Sequence, residues 1–182
     1  MVKRQLTKAE LLSQARNSKK LKKYARSMPY ATVATVCNYV LWKEFSCTTD
    51  QLEEYNAAFL NRYVKADQEA IDKAAFYLQE TYGISITVVL YEQRDWMQYR
   101  GKKILMEQKK AQMLAANEMF LTQQKYLVIH LLTLESMGYD ADFLHKNKEK
   151  VSFYMSSIEA IEPEQMRAEM EKDIGLIIEL PH

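Results

Sequence analysis

Along most of this 182-residue chain, apolar residues recur in steps of three and four, and only one short stretch alternates apolar with polar. The first spacing buries one stripe of a helix and the second one face of a strand, so the pattern predicts helices joined by short turns. Thr7 caps a helix running from Lys8 to about Ala25, and Glu10 three residues on completes a capping box. Its stripe of Leu11, Leu12, Ala15, Leu21 and Tyr24 is narrow and is interrupted by Asn17 to Lys20. That predicts a surface element, or an arm ordered by a partner. Pro29 opens a second helix, about Tyr30 to Phe45, so apolar that little of it can face water. Val33, Val40 and Trp42 are its large packing residues, and its β-branched content leaves a strand as the alternative. A third helix, about Asp50 to Val64, sets Leu52, Tyr55, Phe59 and Tyr63 on one face. A fourth, about Gln68 to Tyr82, starts at the cap Asp67 and stops at Gly83.

The alternating stretch follows: Ile84, Ile86, Val88 and Leu90 interleave with Ser85, Thr87, Val89 and Tyr91. A lone strand needs a partner, and residues 176–180 are the candidate for a minor two-stranded β patch. Both stretches follow a helix and a glycine, Gly83 or Gly175, which reads as a faint duplication or a shared packing device. The longest helical pattern runs from about Lys102 to Ser136 and would span roughly 50 Å, as the spine of the bundle or a dimer interface. Its apolar positions, Ile104, Met113, Leu114, Phe120, Leu121, Leu127, Val128, Leu131 and Leu134, are too broad a face for a coiled-coil seam. The segment around Trp96 before it reads as a packed loop. After a turn at Met137 to Asp140, another helix to about Ala160 packs Phe143, Leu144, Val151, Tyr154, Met155 and Ile158, and Pro163 starts a last short one.

Composition narrows the class without changing it. Gly 4 and Pro 3 leave little room for a many-stranded sandwich, and 48% hydrophobic residues exclude a mostly disordered chain. The expectation is a mainly all-α, single-domain irregular helical bundle over residues 1–182, with residues 1–26 as a basic N-terminal arm. Charge does change the picture. The formal total is +1, yet residues 1–26 carry nine basic residues against one acid, while residues 140–182 carry five against ten. Such an arm meets a polyanion or an acidic protein surface, including its own C-terminal part or a second copy of it. Cys37 reads as a buried thiol and Cys47 as partly exposed. No signal peptide or membrane span is read, because the apolar run is short and interrupted by Thr32, Thr35, Asn38, Lys43 and Glu44. A reducing, intracellular setting is expected.

Candidate chemistry is sparse. The chain has no nucleotide-binding glycine loop, no zinc-protease signature, no paired cysteines and no nucleophile elbow. His130 sits in an apolar run, Val128 to Leu132, and reads first as a core histidine and second as a general base, while His145 reads as exposed. Glu53, Glu54, Asp67, Glu69 and Asp72 read as helix surface and caps; as a nuclease site they would take Mg²⁺ through one or two carboxylates. Otherwise no cofactor is expected. Nucleic-acid contact is better supported by basic residues interleaved with aromatics: Arg16, Lys19, Lys20, Lys22, Lys23 and Arg26 near Tyr24 and Tyr30, then Arg94, Arg100, Lys102 and Lys103 near Trp96 and Tyr99.

The stretch YATVATVCNYVLWKEF, residues 30–45, resembles small helical proteins carried by phages and mobile elements of Gram-positive bacteria. Whole-chain length and character are similar to those of streptococcal type II-A anti-CRISPR proteins that truncate guide RNA. The resemblance implies a partner, the type II CRISPR effector nuclease with its guide RNA, and effector-dependent shortening of that guide. It carries over no catalytic residue. Two readings stay open: the chain cuts RNA itself, with His130 or Tyr24 and lysines, or it binds the effector and exposes the guide to another active site. A non-enzymatic structural or regulatory helical protein that dimerises through the long helix and binds nucleic acid or a host protein is the alternative; for a DNA-binding regulator, residues 30–64 are laid out roughly as helix, turn and helix.

Overall fold

The computed structural model describes residues 31–98, 100–101, 103–156 and 162–178, and its helices except the short α4 all draw on one hydrophobic core. The chain is an all-α, irregular single-domain bundle. Helix α1 covers residues 31–43, α2 Thr49–Lys65, α3 Gln68–Tyr82, α4 Gln93–Met97, α5 Lys103–Ser136, α6 Ala141–Ser156 and α7 Pro163–Ile174. The predicted N-terminal helix and basic arm, Ile158, and residues 179 and 180 of the C-terminal strand candidate lie outside the described residues.

Helix α1 is the central element. Every residue from Val33 to Leu41 is buried, so the β-branched run that lowers helix propensity is offset by complete burial of its apolar faces. Its polar residues bond locally: Thr35 Oγ1 donates to Ala31 O at 2.8 Å and Asn38 Nδ2 to Ala34 O at 3.0 Å. The helix closes in a Schellman motif, with Ser46 N–H on Trp42 O and Cys47 N–H on Leu41 O, both 3.0 Å. Ser46 occupies the left-handed position at φ 57°. Cys47 is buried rather than partly exposed, because this turn folds it inward, where its Sγ lies 3.9 Å from the Tyr139 hydroxyl.

Helices α2 and α3 start as their caps dictate: Thr48 and Gln51 form a capping box, and Asp67 Oδ1 accepts from Ala70 N at 2.8 Å. Gly83 and Gly175 end α3 and α7 at nearly the same left-handed geometry, φ 68°, the packing device common to the two units. Helix α5 is the spine, at about 50 Å for 34 residues. Its second half enters the core through Tyr126, Val128, Ile129, Leu131 and Leu134, and α2, α3, α4 and α6 all pack on the spine. Met113, Leu114, Phe120 and Leu121, expected inside, are only half-buried.

Two expectations are corrected. The segment around Trp96 is not a loop but the short helix α4, started by a reciprocal box between Glu92 and Asp95. There is also no β patch among the described residues: 84–92 and 175–178 form no ladder. The alternation still acts, since Ile84 and Ile86 are buried and Ser85, Thr87 and Val89 exposed. Amide side chains of α5 take the place of a neighbouring strand: Gln124 Nε2 donates to Ile86 O at 3.3 Å, and Asn117 binds both N and O of Tyr91 at 2.8 Å.

Candidate binding groove and the buried histidine

His130 is fully buried, and both ring nitrogens are engaged. Nε2 lies 2.6 Å from Asn147 Oδ1, which only accepts, so Nε2 carries the proton and Nδ1 takes the Tyr55 hydroxyl at 2.8 Å. Burial pushes the imidazole down to about 4, against the smaller upward pull of Asn147. A neutral ring held this way between α2, α5 and α6 is a structural crosslink. It has neither free nitrogen nor access to an RNA hydroxyl, so the general-base role is excluded. Asn147 Nδ2 is the one buried side-chain polar atom without a partner among the described residues.

Two further polar clusters tie the bundle together. Tyr39 donates to Glu169 at 3.0 Å and Tyr154 to Glu44 at 2.7 Å, while Lys150 pairs with Glu44 at 2.6 Å. Burial first, then the adjacent carboxylates, push both phenols up to about 12, and α6 and α7 are thereby fastened to α1. On the other side, Tyr77 and Tyr82 both donate to Glu135 Oε1, which raises the Tyr82 phenol, and His145 Nε2 lies 2.6 Å from Tyr82 O.

The acidic candidates for Mg²⁺ are engaged elsewhere or apart: Asp67 caps α3, Glu69 pairs with Lys73 at 2.7 Å, and Asp72 accepts from Gln68 at 2.9 Å. No three metal-ligating side chains converge among the described residues. Of the basic candidates, Arg16, Lys19, Lys20, Lys22, Lys23, Arg26 and Lys102 lie outside the described residues, as does Tyr24. Arg94 and Arg100 are exposed, on α4 and on the turn leading to α5, whose first residue is Lys103. Arg94 is already paired, with Glu92 at 3.1 Å.

Sequence reasoning missed a groove of about 470 Å³ between α2 and residues 175–178. Phe59 and Tyr126, with ring centroids 4.3 Å apart and tilted by 31°, are almost fully buried and make its floor. Leu60 and Ile177 stand at its rim, 46% and 72% exposed, with Val64 one turn beyond at 75%. Two polar groups enter it. Glu53 has no ion-pair partner among the described residues. Asn56 exchanges amide bonds of 2.9 and 3.1 Å with Asn38, which leaves it one N–H and one lone pair. Thr49 Oγ1 on Ile174 O, 3.2 Å, joins the start of α2, which carries Asp50 and Glu53, to the end of α7, which carries Glu171, Lys172 and Asp173. The missed signal was the exposed Leu60–Val64 step, adjacent to the stripe of α2 that packs inward.

No helix among the described residues is long and apolar enough to cross a membrane. Comparison with family models, with curated proteins and with solved structures finds no match to this chain.

Proposed function

We propose that this protein acts by binding, as an inhibitor of the type II CRISPR effector nuclease carrying its guide RNA, the partner implied by the resemblance of residues 30–45 and of the chain's length. The observation that carries the binding reading is the groove: an apolar floor and rim with an acidic margin has the anatomy of an interface for a basic protein surface. A guide-holding effector offers such a surface in the positively charged channel that grips its nucleic acid. His130, sealed and neutral, takes no part in the cut, which falls either to the basic arm with Tyr24 or to an active site that the partner complex supplies, and the binding reading favours the second. The reading as a DNA-binding regulator is weaker, because the outward face of α2 shows Asp50, Glu53 and Glu54, which repel phosphate.

The test is labelled guide RNA incubated with the protein, with and without a streptococcal type II effector, and resolved on a denaturing gel. A shortened guide is expected only in the full mixture, with the parent chain and with His130→Gln, and not with Leu60→Asp/Ile177→Asp. A nuclease-dead effector should abolish the cut. Intact guide in every lane would remove the inhibitor reading, and a folded double variant that truncates like the parent would remove the groove from it.

A further inference from the structure

The groove between α2 and residues 175–178 lies close to where the basic arm joins the bundle. Ala34 is part of its lining, and Ala31, about one helical turn earlier, is the first described residue after the arm. Glu53 enters the groove, and Asp50 and Glu54 stand exposed near it on α2. None of the three has an ion-pair partner among the described residues. The arm has the opposite character: residues 1–26 hold nine basic residues against one acid. On its predicted helix Leu11, Leu12 and Ala15 share one face, with Lys8 a turn before them and Arg16 and Lys19 after. That is a short apolar ridge with cations at both ends, the complement of an apolar groove with carboxylates at its margin.

We infer that this ridge seats in the groove of its own chain, with Leu11 and Leu12 between Leu60 and Ile177 and the arm's cations on Glu53 and its neighbours. The reach suffices. Along a helix Ala15 lies about 15 Å from Ala25, and the chain from Ala25 to Ala31 extends to roughly 20 Å, so the ridge can return to the groove beside the start of α1. A link this short gives the arm an effective concentration in the millimolar range, well above that of a second copy in dilute solution. Seated, the arm covers the apolar rim and offsets the acidic margin. Displaced, it frees the groove and a basic segment together. For the proposed inhibitor this means that the effector must displace the arm to engage the groove, a consequence that rests on that reading, whereas the seating itself does not.

Photocrosslinking of the full chain, without effector or guide RNA, tests the seating. The photoreactive p-benzoylphenylalanine replaces Leu60, a rim side chain 46% exposed, so the fold should be kept, as judged by circular dichroism. After irradiation and digestion with trypsin, the expected adduct joins the peptide of position 60 to residues 9–16, the fragment released by cuts after Lys8 and Arg16, in a product of monomer mass. Glu53→Lys, and separately Leu11→Asp/Leu12→Asp, should each remove most of that adduct. The absence of an adduct to residues 9–16 overturns the inference. So does a main product joined to residues 179–182 or of dimer mass, which would put another occupant in the groove, and so does a folded variant that keeps the parent's yield. Because no effector is present, this result and the guide-truncation gel can fail separately.

Discussion

Lowering the pH forces a choice on His130. In the unfolded chain its imidazole takes a proton near 6.5, whereas burial holds the folded ring neutral down to about 4. The folded value is depressed, so the stability from keeping this ring neutral is complete above 6.5. It drains as the pH falls toward about 4, where the native ring protonates as well. Across that whole window the loss is roughly 3 kcal/mol, of which about 2 kcal/mol has gone by pH ~5. Against a typical domain stability of about 5–15 kcal/mol, that is a large share. Carboxylates interfere little in the upper part of the window. Glu44, held down by Lys150 and Tyr154, and Asp142, held down by Lys146, give up their contributions only at lower pH.

Urea unfolding followed by circular dichroism, from neutral pH down to about 5, measures this loss. The control is His130→Gln, which keeps a donor and an acceptor but does not titrate. It should be less stable than the parent at neutral pH, and the gap should narrow by about 2 kcal/mol as the pH reaches ~5. A gap that stays constant with pH would refute the reasoning, since it would mean that the ring is not held neutral by burial between Tyr55 and Asn147.

Three further perturbations probe separate parts of the argument. Ser46→Gly relieves a side chain held at φ 57° and should raise the unfolding free energy by about 1 kcal/mol, read from the urea midpoint. Leu41→Ala empties a position only 1% exposed in the central helix and should cost about 2–5 kcal/mol in the same assay. Asn117→Leu removes both bonds to the Tyr91 main chain; the expected cost is about 1 kcal/mol, with faster amide exchange at Tyr91 while the Leu131 and Leu134 amides stay protected.

Much of the fold was legible where a local device sets a boundary. Asp67 and Gly83 bracket α3, and Pro163 and Gly175 bracket α7, because a capping carboxylate, a proline ring and a left-handed glycine act within one turn and need no tertiary context. The spine helix was legible from its unbroken period. The fate of residues 84–90 was not, because alternation reports which side chains are buried and says nothing about what satisfies the main chain; here Gln124 and Asn117, polar residues of a distant helix, do so. The rim at Leu60, with Val64 one turn beyond, was illegible for the related reason that a second apolar strip on α2 looks like breadth of core until Gly175 to Ile178 is seen to leave it open. For His130 the sequence suggested a core residue, but its partners come from 75 and 17 residues away.

The groove and the core share residues, and that constrains how binding can work. Phe59 and Tyr126 are at once the groove floor and members of the packed interior, while Asn38, which bonds to Asn56, belongs to the buried run of α1 from Val33 to Leu41. A floor fixed by core packing is already in its bound shape, so little ordering cost falls on that side of an association. The opposite wall is held differently. Leu176 is buried and Ile178 packs on the core, but Ile177 stands 72% exposed, and the segment follows the Gly175 turn beside the Thr49 bond to Ile174. If the groove adapts to a partner, the adaptation is confined to residues 175–178. Gly175→Ala, which strains that turn at φ 68° without filling any space, should therefore weaken partner binding more than its cost of about 1 kcal/mol in folding would suggest. Equal losses in the two measurements would mean that the wall is as rigid as the floor.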